Sequence, residues 1–265
     1  MSLPTQPKIQ DLRAPRSVPL DGARLLFDPR TGLNLRMEGP STRGLVRSAP
    51  RVVLFGVTNR CNLRCDFCSR DSDAASEWTS DTAFDMLAEL SQRGVLEVAF
   101  GGGEPLAFRG FDALVERLAA ETPLALHVTT NGVLLTEERL ARLAPHLGEI
   151  RLSIYDDTPW PERVAALAKA PVTFGVNLLV TPERVAALGA TLHRLEALGC
   201  RDVALLRYVG PDTTQQLSHA DERRVVAALA RCTMSVRLSV CFGDHLGALP
   251  RLFDGDGPSG DCGAG

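Results

Sequence analysis

The sequence predicts an α/β fold with parallel strands, and three observations predict it. Short apolar, β-branched runs alternate with amphipathic helical stretches over most of the 265 residues. The strand segments hold few polar residues, as strands covered on both faces do. The breaks between segments fall at glycine, proline or a capping hydroxyl. Two sheet geometries fit this pattern, an open doubly wound sheet and a full or partial barrel. Both place functional residues at the C-terminal ends of the strands.

Residues 1–20 are rich in proline, serine and glutamine without periodicity and are expected to form a flexible arm. "ARLLFDPRTGLNLRM" sets two apolar segments around Asp28-Pro29-Arg30-Thr31-Gly32, the pattern of a β-hairpin; with a linker it fills residues 21–49. The alternation starts at Arg51. "RVVLFGV" reads as a strand, and "TSDTAFDMLAELSQRG" as a helix with Phe84, Leu87 and Leu90 on one face and a stop at Gly94. "VLEVAF" is a strand that runs into glycines, "FDALVERLAAE" a helix and "LALHVTT" a strand. "TEERLARLAPHL" is a helix that Thr136 can cap. The strands "EIRLSIY" and "VTFGVNLLV" flank the helix "PERVAALAKA". "TPERVAALGATLHRLEALG" reads as one helix, with Thr181 as cap, Pro182 at the first position and a stop at Gly199. Finally "DVALLRYV" and "MSVRLSV" flank the helix "SHADERRVVAALARC".

Composition narrows the function classes. Hydrophobic residues make up 45% and charged residues 23%, as in a globular domain. The net charge of −3 offers no basic footprint, which argues against a nucleic-acid partner. No apolar run is long enough to span a membrane and the N-terminus does not read as a signal peptide, so the expected compartment is the cytoplasm. Seven cysteines are an odd number, which excludes full disulfide pairing. In a reducing compartment, clustered cysteines point to metal or redox chemistry.

The cluster is "TNRCNLRCDFCSR", residues 58–70, directly after the first strand of the alternation. Cys61, Cys65 and Cys68 sit on one short loop with no fourth cysteine or histidine nearby. A structural zinc site takes four protein ligands, so the fourth would have to come from Cys200, Cys232, Cys241 or Cys262. Three thiolates alone suit an iron–sulfur cube that keeps one iron open to a ligand. Three free thiols sharing a loop are the remaining alternative.

"CNLRCDFC", with an aromatic residue before the third cysteine, resembles the signature of the radical S-adenosylmethionine (radical SAM) superfamily. "AFGGGEPL", residues 99–106, is similar to that family's glycine-rich motif. "TTNG" at 129–132, "LSIYD" with Ser153, Asn177 in the fifth strand and "LLRYVG" follow in order at successive strands, so the resemblance covers about residues 50–210. It implies a partial (β/α)6 TIM-like barrel, with a core over residues 50–232. It implies a [4Fe–4S] cluster on Cys61, Cys65 and Cys68 and S-adenosylmethionine as cofactor. The cofactor-binding residues so implied are Phe67, Gly101, Gly102, Gly103, Glu104, Asn131, Ser153 and Asn177. The glycine motif would receive the amino group of the methionine moiety, Ser153 its carboxylate or the ribose, and Phe67 the adenine. One electron, from an external donor such as a flavodoxin or ferredoxin, would cleave the cofactor to a 5′-deoxyadenosyl radical.

Residues 233–265 carry Cys241 and Cys262 in a spacing that resembles the opening half of the SPASM extension. That extension holds auxiliary iron–sulfur clusters and needs further cysteines downstream, where this chain ends at Gly265. The chain is therefore expected to be either a truncated form of a longer protein or naturally short. Two cysteines are a poor site for a cube, and free thiols in a loop-rich tail are the alternative. The half extension favours a peptide or protein substrate, for example in maturation of a ribosomal peptide natural product. A small-molecule substrate (nucleotide, sugar or cofactor precursor) and a non-catalytic iron–sulfur or peptide-binding accessory protein are the other readings. Cys200 and Cys232 lie in or beside amphipathic helices and read as core thiols.

Overall fold

A computed structural model describes residues 12–239, Cys241 and Phe242. Strands β1 (Arg16–Leu20), β2 (Ala23–Phe27) and β3 (Asn34–Glu38) form an antiparallel sheet. Strands β4 (Val52–Thr58), β5 (Glu97–Gly102), β6 (Ala125–Thr130), β7 (Glu149–Ser153), β8 (Thr173–Val180), β9 (Asp202–Arg207) and β10 (Ser235–Leu238) form a second, wholly parallel sheet. Its strand order is the sequence order, so there is no switch point and the doubly wound alternative is excluded. Among the described residues β4 and β10 do not pair, which leaves a partial barrel. The connections carry α1 (Ser80–Gln92), α2 (Phe111–Glu121), α3 (Glu137–Leu143), α4 (Trp160–Leu167), α5 (Pro182–Val185), α6 (Leu188–Ala197) and α7 (His219–Leu229). No helix of the described residues is long and apolar enough to cross a membrane.

Alternation along each strand divides two environments. Val98 and Phe100 of β5, Ile150 and Leu152 of β7, and Val203 and Leu205 of β9 are buried in the main apolar core with the helices. Phe100 meets Phe111 of α2 edge-on at 5.3 Å, and the Arg117 guanidinium lies 3.5 Å from the Phe84 ring, tying α2 to α1. Helix starts follow the hydroxyl signals. Thr79 and Thr82 form a reciprocal capping box, Thr136 accepts from Arg139 N, and Ser218 accepts from Asp221 N.

The other face of the strands carries buried charge. Arg151 of β7 donates to Glu149 (2.9 Å), to the Val176 carbonyl (2.9 Å), to Asn177 Oδ1 (3.1 Å) and to Asp202. Arg237 of β10 reaches the same two carboxylates. Gly175 pairs with Arg151 across the sheet, and a Cβ there would overlap the guanidinium. Burial pushes the Asp202 carboxyl up, but hydrogen bonds from Arg237 and Arg151 outweigh it and hold it below its ordinary value.

Two sequence expectations change. Residues 16–20 are not part of an arm. They pair with β2 in register from Arg16↔Phe27 to Leu20↔Ala23, and Val18 and Leu20 pack against a small second core. Pro15 and Pro19 obscured the alternation; on an edge strand Pro19 costs no ladder bond. The single helix expected over 182–198 is two, α5 and α6. The turn between them closes with the tighter Ala187 N–Arg184 O bond, without glycine or proline to announce it. Thr181 precedes α5 but its side chain makes no cap bond.

The expected hairpin is present, with Asp28 accepting from Arg30 N and Thr31 Oγ1 at its turn. Leu25 and Phe27 of β2 close over Leu96 and Ala125, at the N-terminal ends of the barrel strands. The hairpin tip reaches His127, itself 3.1 Å from Glu97. Gly32, at φ +70, brings its backbone so close that a Cβ would lie 3.2 Å from His127 Cε1. Phe27 is fully buried in this small core. Phe27→Ala is therefore expected to cost about 3–5 kcal/mol in a denaturant titration. A loss below about 1 kcal/mol would mean that the sheet is not docked on the barrel.

Candidate cluster and cofactor site

The site begins where β4 leaves the sheet. Gly56 pairs with Gly101 and Thr58 with Gly102, so the register slips by one residue and the strand bends into the cysteine loop. Side chains pin the loop's entry. Asn59 N donates to Ser76 Oγ (2.6 Å), and Arg60 N to Thr58 Oγ1 (3.1 Å). Within the loop, Cys68 N donates to the Cys65 carbonyl (3.0 Å) and Leu63 N to Cys61 Sγ (3.4 Å).

The glycine motif at the end of β5 is bonded directly to this loop. Gly103 N donates to the Thr58 carbonyl (2.6 Å) and Glu104 N to the Arg60 carbonyl (2.8 Å). Gly102 sits at φ +108, a conformation other residues rarely adopt. Gly103 is needed for space, because a Cβ there would overlap the Asn59 and Arg60 carbonyls.

Glu104 is 1% exposed. Its Oε1 accepts from Leu106 N (3.0 Å) and Thr130 Oγ1 (2.7 Å), and its Oε2 from Asn131 N (2.8 Å). A carboxylate has about four acceptor sites, so one remains for a ligand. Burial pushes its pKa up, and the hydrogen bonds from Asn131, Thr130 and Leu106 oppose that shift only in part. Asn131 donates from Nδ2 to Asn62 Oδ1 (2.9 Å), bracing the cysteine loop from β6.

Cys61, Cys65, Cys68, Phe67, Gly101, Gly102, Gly103, Glu104, Asn131 and Ser153 line one cavity of about 350 Å³ at the C-terminal strand ends. Asn177 is not among them. Its oxygen is taken by Arg151, for which Gly175 leaves room. Cys241 does not line the cavity either, and Cys262 lies outside the described residues. Cys200 is fully buried with its thiol against the Asp202 carbonyl, as a core thiol should be. A second cavity of about 280 Å³ shares the wall formed by Leu63, Cys65, Phe67 and Tyr155 and runs on toward Thr181 and Tyr208.

Tyr155 had no role assigned from its sequence. It packs against Phe67 at 5.5 Å, and burial, aided by the nearby Cys65 charge, pushes its phenol up to about 12. Its signal was position: it follows Ser153 by two residues, on the same side of an extended chain.

The thiols fit a cluster better than a single ion. No three Cys, His, Asp or Glu side chains among the described residues converge on a single-ion geometry. The cysteines instead surround a shared space, as one-thiolate-per-iron ligation of a cube requires. Burial pushes the Cys65 thiol up, and the Cys61 and Cys68 charges add to it; bound iron reverses that balance by holding thiolates.

Residues 55–174 match the family described as the radical SAM superfamily. The match spans somewhat less than half of the chain and contains the cysteine loop and the glycine motif. Members of the superfamily use a [4Fe–4S] cluster and S-adenosylmethionine. Among curated radical SAM relatives, the chain is 41% identical over 98 residues to a PqqA peptide cyclase of Bradyrhizobium diazoefficiens, a match covering 36% of this chain and 26% of the relative. It is 28% identical over 182 residues to the PqqA peptide cyclase of Granulibacter bethesdensis (61% and 48%). It is 32% identical over 161 residues to a GTP 3′,8-cyclase of Streptomyces coelicolor (58% and 42%). The chain thus spans less than half the length of these relatives. Among solved structures, Streptococcus suis SuiB bound to its precursor peptide SuiA superposes with a TM-score of 0.61 at 17% identity, covering 72% of this chain and 49% of that one. The anSMEcpe structure with bound AdoMet and Kp18Cys peptide gives 0.58 at 17% (70% and 63%). At these identities the likeness shows the fold alone.

Proposed function

We propose that the chain is the catalytic core of a radical SAM enzyme that abstracts hydrogen from a peptide or protein side chain. The supporting observation is the single cavity that joins three thiols, the glycine motif and Glu104. Cys61, Cys65 and Cys68 would hold the [4Fe–4S] cluster. When bound, cluster and cofactor supply one-electron cleavage of the sulfonium and a 5′-deoxyadenosyl radical. The chain's residues bind, orient and shield. Glu104 accepts from the methionine amino group with its remaining site, and the bare backbone at Gly101 to Gly103 lets that group approach. Ser153 offers a hydroxyl to the carboxylate or ribose, and Phe67, braced by Tyr155, covers the adenine. Asn177, already engaged by Arg151, acts through the barrel interior and not by direct contact. A reduced flavodoxin or ferredoxin supplies the electron.

Peptide cyclases among the relatives, and solved neighbours holding peptides, favour a peptide substrate. The GTP 3′,8-cyclase relatives favour the second reading, a nucleotide. Anaerobically reconstituted protein with dithionite is expected to release 5′-deoxyadenosine and methionine. Deuterium transfer into 5′-deoxyadenosine from a labelled precursor peptide supports the peptide reading, and transfer from labelled GTP supports the second. No cleavage at all would leave the accessory reading. Iron counts test Cys241 and Cys262. About four irons per chain means one cluster, and about eight means an auxiliary cluster as well.

The raised Glu104 pKa sets a pH dependence. The fold holds this proton more tightly than the unfolded chain does. The carboxyl's contribution to apo-protein stability is therefore present at low pH and lost as pH rises from the ordinary glutamate range through the raised value. An N–H donor needs the ionised form, so cofactor binding tightens with rising pH over that window, by at most about tenfold per unit. Glu104→Gln flattens this profile and sets an amide NH2 against backbone donors. Equilibrium dialysis of S-adenosylmethionine across pH checks it, and an identical profile for the variant would remove Glu104 from the site.

A further inference from the structure

The cavity is asymmetric. Glu104 and Asn131 lie deep at 1% and 6% exposure, whereas the exposed end carries Arg70, two residues after Cys68. The Arg70 guanidinium rests on Gly56 of β4. A Cβ built on Gly56 would lie 3.1 Å from Nη2, 3.4 Å from Nη1 and 3.5 Å from Cζ. Both Nη atoms lie nearer than Cζ, so the outer edge of the guanidinium leans obliquely on the glycine. Gly56 has no positive φ, so its backbone does not require glycine. What its missing side chain provides is the seat.

Arg70 also lacks a partner. The other guanidinium lining the cavity, Arg64, is paired with Asp73 at 3.0 Å. Asp71, adjacent in sequence, turns its carboxylate to the N–H groups of Asp73 and Ala74. Among the described residues Arg70 makes no ion pair and no hydrogen bond. A guanidinium on a cavity wall without an ion-pair or hydrogen-bond partner is suited to a carboxylate, which it can bind with two donors.

We propose that Arg70, seated on Gly56 at the open end of the cavity, receives a carboxylate of the substrate, so that an acidic side chain beside the reacting position is a specificity requirement. The inference rests on the radical SAM reading and adds the substrate class. The ligand reaches Arg70 from solvent, while the cofactor occupies the buried end with Glu104.

The test uses the anaerobically reconstituted full chain with S-adenosylmethionine. Its probes are Nα-acetyl-glutamate N-methylamide and the neutral Nα-acetyl-glutamine N-methylamide, titrated calorimetrically. The glutamate probe is expected to bind about tenfold more tightly. Arg70→Gln erases that preference, Arg70→Lys keeps part of it, and Gly56→Val, which crowds the seat, behaves like Arg70→Gln. Equal binding of the probes to the unsubstituted protein overturns the proposal, as does an unaltered preference in Arg70→Gln. Weakened S-adenosylmethionine binding in Arg70→Gln, read by dialysis, also overturns it, because the carboxylate is then the cofactor's own. Absence of S-adenosylmethionine binding by the unsubstituted protein would instead fail the underlying radical SAM reading.

Discussion

Cys65→Ala is expected to lower iron after anaerobic reconstitution from about four atoms per chain to below about one. Cys65 lines both cavities and stands between the other two thiols in sequence. A cube left with two protein ligands has no stable seat, and 5′-deoxyadenosine release falls with the iron. Stability of the iron-free protein separates this role from packing. The Cys65 thiol is only partly buried and is disfavoured as an anion beside Cys61 and Cys68, so its removal changes the apo-protein by no more than about 0.5 kcal/mol. Cys200→Ala runs the opposite way. That thiol is fully buried, so the variant loses about 1 kcal/mol while keeping its iron. Full iron in Cys65→Ala, or iron loss in Cys200→Ala, would reassign the ligands.

The second large effect is expected at Gly103. Its place against the Asn59 and Arg60 carbonyls leaves no volume for a methyl group. Gly103→Ala must push the glycine motif away from the cysteine loop, breaking the Gly103 N–Thr58 O and Glu104 N–Arg60 O bonds. Overpacking of this kind costs about 1–3 kcal/mol. It also moves Glu104 relative to the thiols, so cofactor affinity should fall by about a hundredfold or more. Gly101 is the control. Nothing lies within 4 Å of a Cβ there, so Gly101→Ala should melt near the unsubstituted protein and affect ligand approach alone. Equal melting temperatures for the two variants would contradict the geometry.

Much of this was legible in the sequence for local reasons. The strand and helix order follows periodicity, and the caps at Thr136 and Ser218 are readable because their partners lie three residues away. The thiols and the glycine motif are legible because each is contiguous. What escaped depends on partners distant in sequence. Thr130 lies within a contiguous motif, yet its bond to Glu104 ties β6 to the segment that follows β5. Asn177 looked available to a cofactor because nothing near it announces Arg151, whose guanidinium is also held by Asp202 on β9. Strand β1 was hidden by prolines that are harmless on an edge, and the α5–α6 break by Ala186 and Ala187, the residue type that most favours helix.

The sequential strand order bears on biogenesis. Every residue lining the cluster cavity falls between Asn59 and Tyr155. The strands that carry them, β4 to β7, pair only with their neighbours in the chain up to β7, which alone also contacts a later strand. A ribosome therefore finishes the half that carries the three thiols before it begins the strands that complete the barrel wall. Assembly machinery meets the thiols while the nascent chain is still open on that side, and the later strands close around a half that already contains every candidate cluster ligand on the cavity wall.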